Sequence, residues 1–89
     1  FGTPDLSQQV LLTLSPNPVN GQGLIEIYNP TQKDLLMLIS NISGQEIMRW
    51  QISDVQNRKT WNASEVRPGV YFVELRSSAG IQVRKWVVE

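Results

Sequence analysis

The sequence predicts an all-β domain, a β-sandwich of about seven short antiparallel strands. Three observations predict it. Apolar residues recur with period two through most of the chain. Clusters of Gly, Pro, Asn, Asp and Ser interrupt that pattern roughly every ten residues, the spacing of a sandwich. Helical periodicity is absent: "ASEVRPG" (residues 63–69) could form one turn before Pro68 stops it. The 89 residues suffice for one domain, and a hydrophobic content of 40% supports a packed core over disorder.

The elements follow in order. "FGTPDLSQQ" (1–9) has no period and reads as a linker or leader; the first residue is Phe1 and not Met, so the chain is expected to continue upstream. From Val10 the alternation begins, with Val10, Leu12 and Leu14 against Leu11, Thr13 and Ser15. "SPNPVNGQG" (15–23) breaks it. Pro16 and Pro18 cannot donate to a ladder, so this stretch belongs at a sheet edge or outside the sheet. "LIEIYN" (24–29) is a strand with Ile25 and Ile27 on one face, and "NPTQKD" is a turn. "LLMLIS" (35–40), apolar on both faces, predicts a central strand covered twice. "NISGQ" is a turn in which Gly44 can take a positive φ. "EIMRWQI" (46–52) turns Met48, Trp50 and Ile52 inward. Residues 53–57 read as a loop, "RKTW" (58–61) as a short edge strand and 62–69 as a connection. "VYFVELRS" and "IQVRKWVV" form a closing hairpin around Ser78-Ala79-Gly80. The phase set by Ile81 and Val83 changes at Arg84-Lys85. A β-bulge there would turn Ile81, Val83, Trp86 and Val88 all to the core; otherwise the strand leaves the sandwich at that point.

Composition narrows the chemistry. A formal charge of zero removes the electrostatic case for nucleic acid or an anionic membrane as partner. Without Cys or His there is no disulfide, no thiolate or imidazole chemistry, and almost no route to a zinc, copper or iron site, so neither metal nor cofactor is expected. No apolar run approaches the ~20 residues of a membrane helix. The carboxylates are scattered, and a serine nucleophile would need Lys33, Lys59 or Lys85 as its base, none of them in a recognisable motif. No catalytic residue is assigned, and the chain is not read as an enzyme. Trp50, Trp61 and Trp86 could line a sugar platform or fill a core; Trp50 shares the inward phase, which leaves Trp61 as the platform candidate. Asn41-Ile42-Ser43 and Asn62-Ala63-Ser64 match the glycosylation pattern but fall in turns, where Asn is common anyway. Arg84 and Lys85 beside Trp86, with Arg76 across the hairpin, would make a basic-aromatic corner; protection of an edge strand explains such charges as well as a recognition handle does.

Four segments carry a resemblance. "LSPNPVNG" (14–21), "ISGQEI" (42–47), "RPGVYFVEL" (67–75) and "VRKWVVE" (83–89) stand in an order and spacing that together resemble the C-terminal sorting domain of the type IX secretion system of Bacteroidetes. That family's pattern is a Tyr/Ser-Pro-Asn-Pro opening, a Gly-centred turn between strands, a Pro-x-Gly-Val-Tyr strand and a Lys-hydrophobic-hydrophobic ending. The match spans residues 14–88, and four motifs in register are far more specific than Pro-Asn-Pro alone. The chain departs from the pattern at Trp86, where Leu, Ile or Val is usual, and at Glu89, where a basic residue is frequent.

The resemblance implies an Ig-like sandwich and a non-catalytic signal. It implies a cargo carried through the periplasm and across the outer membrane to the cell surface by the type IX translocon. In many members a sortase-like peptidase of the attachment machinery then removes the domain; other members keep it as part of the machine. It divides the chain into a leader from an upstream cargo (1–9) and the sorting domain (10–89). Matched by position, Pro68, Gly69, Val70 and Tyr71 with Lys85, Trp86, Val87 and Val88 would carry the signal, joined by Arg84 of the basic corner. Pro16, Asn17, Pro18 and Gly44 would shape the fold. The last strand is expected to meet a receptor's sheet edge by β-addition. In isolation an exposed edge could also form a homodimer. The other reading of the same shape is a structural or carbohydrate-binding accessory domain, which needs an exposed aromatic such as Trp61.

Overall fold

The computed structural model describes residues 10–30, 32–77 and 80–89; the leader at 1–9 and the hairpin tip at Ser78-Ala79 lie outside these. The period-two segments become seven strands: β1 (Leu11–Ser15), β2 (Gln22–Tyr28), β3 (Leu35–Asn41), β4 (Glu46–Ile52), β5 (Gln56–Asn62), β6 (Gly69–Ser77) and β7 (Gly80–Val88). They form two antiparallel sheets, one in the order β1-β2-β5 and one in the order β4-β3-β6-β7. The chain changes sheet after β2, after β4 and after β5, so each sheet is completed only by strands distant in sequence. This is an Ig-like sandwich. Tyr71, near the start of β6, donates its hydroxyl proton to the Arg67 carbonyl oxygen at 2.7 Å, the tyrosine corner typical of such folds.

The inward positions of both sheets make one core. Leu12, Ile25, Ile27, Leu35, Met37, Ile39, Ile52, Tyr71, Val73, Leu75, Trp86 and Val88 are buried, with Met48 and Trp50 partly buried against them. A single 3-10 turn at Ala63–Glu65 links β5 to β6, capped by the Asn62 side chain. The β3–β4 turn is tied by the Asn41 carboxamide oxygen, which accepts from the Ser43 and Gln45 backbone amides, and Gly44 takes φ +85° there. Both sequons are therefore turn architecture.

Several expectations change. The predicted bulge in β7 is absent: β6 and β7 pair without a break from Gly69↔Val88 to Ser77↔Gly80. The strand does not leave the sheet either. Ile81 and Val83 consequently face outward, 61% and 53% exposed, and Arg84 takes the inward parity beside Val73. Ladder continuity outweighs the apolar pattern because a bulge would leave backbone groups unpaired. β3 is central in its sheet but covered once. Leu35, Met37 and Ile39 face the core, while on the other side Leu36 and Leu38 lie between flanking cross-strand neighbours such as Arg49 and Glu74. β5 is longer than the four residues predicted, because all of Gln56–Asn62 pairs with β2 despite its polarity.

β2 likewise begins earlier, at Gln22, and contains Gly23. The reason is steric. A Cβ on Gly23 would lie 2.5 Å from Cζ2 and 2.6 Å from Cη2 of Trp86. Glycine inside a strand marks close approach of another group. Gly23→Ala is expected to cost about 1–3 kcal/mol through overpacking, read as a lower denaturant midpoint. In a Trp86→Leu background, which removes the ring, the penalty of Gly23→Ala should largely vanish. Equal penalties in both backgrounds would show that the ring is not the obstacle.

Candidate functional site

The four motif segments meet at one end of the sandwich. Gly69 and Val70 pair with Val88 and Val87, and Tyr71 pairs with both Trp86 and Asn41, the residue that opens the Gly44 turn. The loop after β1 reaches the same place from the other side. Val19, fully buried, forms a parallel bridge with Val88. Val10, where the described chain begins, is at the opposite end, its carbonyl oxygen accepting from the Gln82 side chain at 3.2 Å. Six residue steps of β7, from Gln82 to Val88, separate the two by about 20 Å.

The loop is bonded to β7 along the edge that β6 leaves free. Val19 N–H donates to the Val87 carbonyl oxygen at 2.8 Å, and Glu89 N–H donates to the Val19 carbonyl oxygen at 2.9 Å. Between Pro16 and Pro18, whose preceding peptide bonds are both cis, the Asn17 side chain takes the part of a peptide group. Its Nδ2 donates to the Lys85 carbonyl oxygen at 3.2 Å, and its Oδ1 accepts from Val87 N–H at 3.2 Å. A carboxamide alone among short side chains offers a donor and an acceptor in one plane. Neither proline could donate to β7, so the side chain between them and the amide after them supply the bonds. The segment 15–19 is thus a clip over the last residues of β7.

Trp86 anchors the clip from within. Its indole Nε1–H donates to the Pro16 carbonyl oxygen at 2.7 Å. Its ring lies against Trp61, with centroids 5.1 Å apart, and Trp61 meets Tyr71 edge-on at 5.6 Å. Tilted and edge-to-face aromatic pairs of this kind each contribute about 0.5–1.5 kcal/mol beyond area burial. Trp61 is buried, so it offers no sugar platform, and Trp50 is partly buried beneath the Lys59 ammonium at 5.4 Å. The expected basic-aromatic corner does not assemble. Trp86 is internal, Arg84 and Lys85 point to opposite faces, and Arg76 pairs with Glu74 further along the hairpin.

The expected recognition residues divide by exposure. Pro68, Gly69, Arg84 and Lys85 are exposed; Val70 and Val87 are half-buried; Tyr71, Trp86 and Val88 are buried. Pro16, Asn17, Pro18 and Gly44 are exposed, and the first three build the clip. Sequence reading missed Gly23 and Val19. The first lay in a run of loop residues, and the second was a lone apolar residue among turn formers. Among the described residues no three His, Cys, Asp or Glu side chains converge to hold a metal. Glu46, whose carboxyl is held below its ordinary value by the hydrogen bond from Arg49, forms an exposed surface pair with it at 2.9 Å.

Asn17→Asp, which keeps the acceptor and loses the donor, is expected to lower stability by about 0.5–1.5 kcal/mol, read as a lower denaturant midpoint. Asn17→Ala should in addition speed hydrogen exchange at Val87 N–H, measured by NMR, while Val73 N–H inside the sheet keeps its protection. An unchanged Val87 rate would show that the carboxamide does not shield the strand.

None of the curated proteins matches. A solved structure of PorZ, described as an essential bacterial surface component of the type-IX secretion system of Porphyromonas gingivalis, superposes with a TM-score of 0.61 at 21% identity. The similarity covers 88% of this chain and 11% of that one, and at this identity it speaks for the shared sandwich fold. The model of the secretion-system C-terminal sorting domain matches residues 13–89, all but the first strand's opening residues and what precedes them. With its motifs gathered at one end of an Ig-like sandwich, the chain belongs to the family of type IX secretion C-terminal sorting domains.

Proposed function

We propose that the chain acts without chemistry of its own, as a folded signal read at the motif end while an upstream cargo is attached at the other. The carrying observation is this polarity: the segments at 15–19, 41–47, 67–71 and 85–89 converge, and Val10 stands at the far end. A cargo joined through residues 1–9 would leave the motif end unobstructed. In this reading the cargo passes the periplasm and is then carried to the cell surface by the type IX translocon. A sortase-like peptidase of the attachment machinery would cut in the leader. Arg84 and Lys85 are the contacts offered to the machinery, since both are exposed and neither has an ion-pair partner among the described residues. Pro68-Gly69-Val70-Tyr71, Trp86, Val87 and Val88 hold the shape behind them.

The test is a periplasm-directed reporter fused ahead of the chain in a bacterium with a type IX system. Removal of residues 85–89 should leave the reporter in the periplasm. Because that deletion also removes Trp86 from the core, the sharper variant is Arg84→Ala with Lys85→Ala, which leaves the buried residues intact. It should reduce surface display by about tenfold, as expected for two charged contacts. If both variants reach the surface as wild type does, the signal lies elsewhere and this reading fails.

A further inference from the structure

Half of the β7 edge is closed and half is open. In an antiparallel ladder alternate residues turn their backbone groups to opposite sides. The bonds of Val87 and Glu89 to the clip show that residues 81, 83, 85, 87 and 89 face away from β6. The clip occupies Lys85 C=O, both Val87 groups and Glu89 N–H. Ile81 N–H and C=O, Val83 N–H and C=O, and Lys85 N–H have no backbone partner among the described residues.

The other edges are defended. β5 carries Gln56, Asn57, Arg58 and Lys59; β4 carries the Glu46–Arg49 pair; β1 is five residues long and runs into Pro16. Proteins blunt edges with charge, proline and brevity. β7 instead sets two apolar side chains, Ile81 and Val83, on one face beside its open groups. Phe72, 36% exposed, lies diagonal to Val83, and Leu36 and Leu38 continue the same outer face on β3. Lys85, which has no ion-pair partner among the described residues, ends this stretch with a positive charge on the same face as Val83.

We infer that residues 81–85 are a β-augmentation site for one extended segment of a type IX partner protein. The segment is apolar at alternating positions, covering Ile81, Val83 and Phe72, and carries a carboxylate at the Lys85 end. The Asn17 clip closes the ladder beyond Lys85 and so sets where the added strand stops. Backbone bonds supply affinity and alternate side chains supply selection. This rests on the sorting reading and extends its contact surface from the motif end along β7 to Gln82, beside which Val10 lies.

Reporter display again provides the test. Val83→Pro removes an outward N–H that has no native partner, a position where edge strands tolerate proline. It should lower surface display about fivefold or more, while Val83→Thr, which keeps the N–H, should not. Lys85→Glu should lower display and Lys85→Arg should preserve it. Thermal melts establish that each variant is folded. Should Val83→Pro unfold, Ile81→Glu with Val83→Glu keeps every backbone group and should show the same loss. Wild-type display by a folded Val83→Pro, or by the double glutamate variant, overturns the edge site. The sorting reading then stands or falls separately on Arg84→Ala with Lys85→Ala. Sedimentation of the chain alone supplies a further check: a dimer abolished by Val83→Pro would assign the edge to a second copy, and would likewise overturn a heterologous partner.

Discussion

Trp86 is the residue on which the remaining geometry depends. Its ring fills the core between the sheets, against Trp61 and over Gly23, and its indole nitrogen holds the Pro16 carbonyl. A domain of this size has little stability to spare. Truncating a buried tryptophan typically costs about 3–5 kcal/mol, a large share of that reserve. The same side chain therefore supports both the sandwich and the placement of the clip. Its departure from the family's usual aliphatic residue is compensated locally: the absent side chain of Gly23 makes the room that an indole needs.

How much of this was legible in the sequence follows from range. Strand identity depends on neighbours two residues apart, and Ile25, Ile27, Met48 and Ile52 announced their faces correctly. The turn at Gly44 was legible for the same reason. What could not be read locally was pairing. Ile81 and Val83 looked like core because they are apolar, yet the register with Arg76 and Glu74 turns them outward. Leu38 looked covered by a second layer, yet its neighbours on β4 and β6 bury it. Gly23 and Val19 are explained only by Trp86 and Val88, more than 60 positions later, and a single sequence carries no mark of that contact. The motif resemblance reached further than the physical reading because it joined the four segments before their proximity was known.

The clip gives the Pro-Asn-Pro motif a physical meaning. A bare closing strand invites unwanted pairing, and a fully covered one offers nothing to a partner. Three residues reconcile these demands. Two prolines fix a local path that cannot itself join the ladder, and one carboxamide satisfies a donor and an acceptor of β7. Aspartate would present no donor to Lys85 C=O, and serine would not span both groups. The sandwich keeps the tail ordered while leaving its middle available.

The clip also bears on timing. Its bonds join groups 68 and 70 positions apart, from Asn17 to Lys85 and Val87 and from Pro16 to Trp86. Such distant pairings close late, after the loop between them is in place. A molecule still emerging, from a ribosome or from a pore, holds Asn17 ready with nothing to grip. The latch therefore closes only once residues 85–87 are in place, and one asparagine ties the order of an early loop to the arrival of the closing strand.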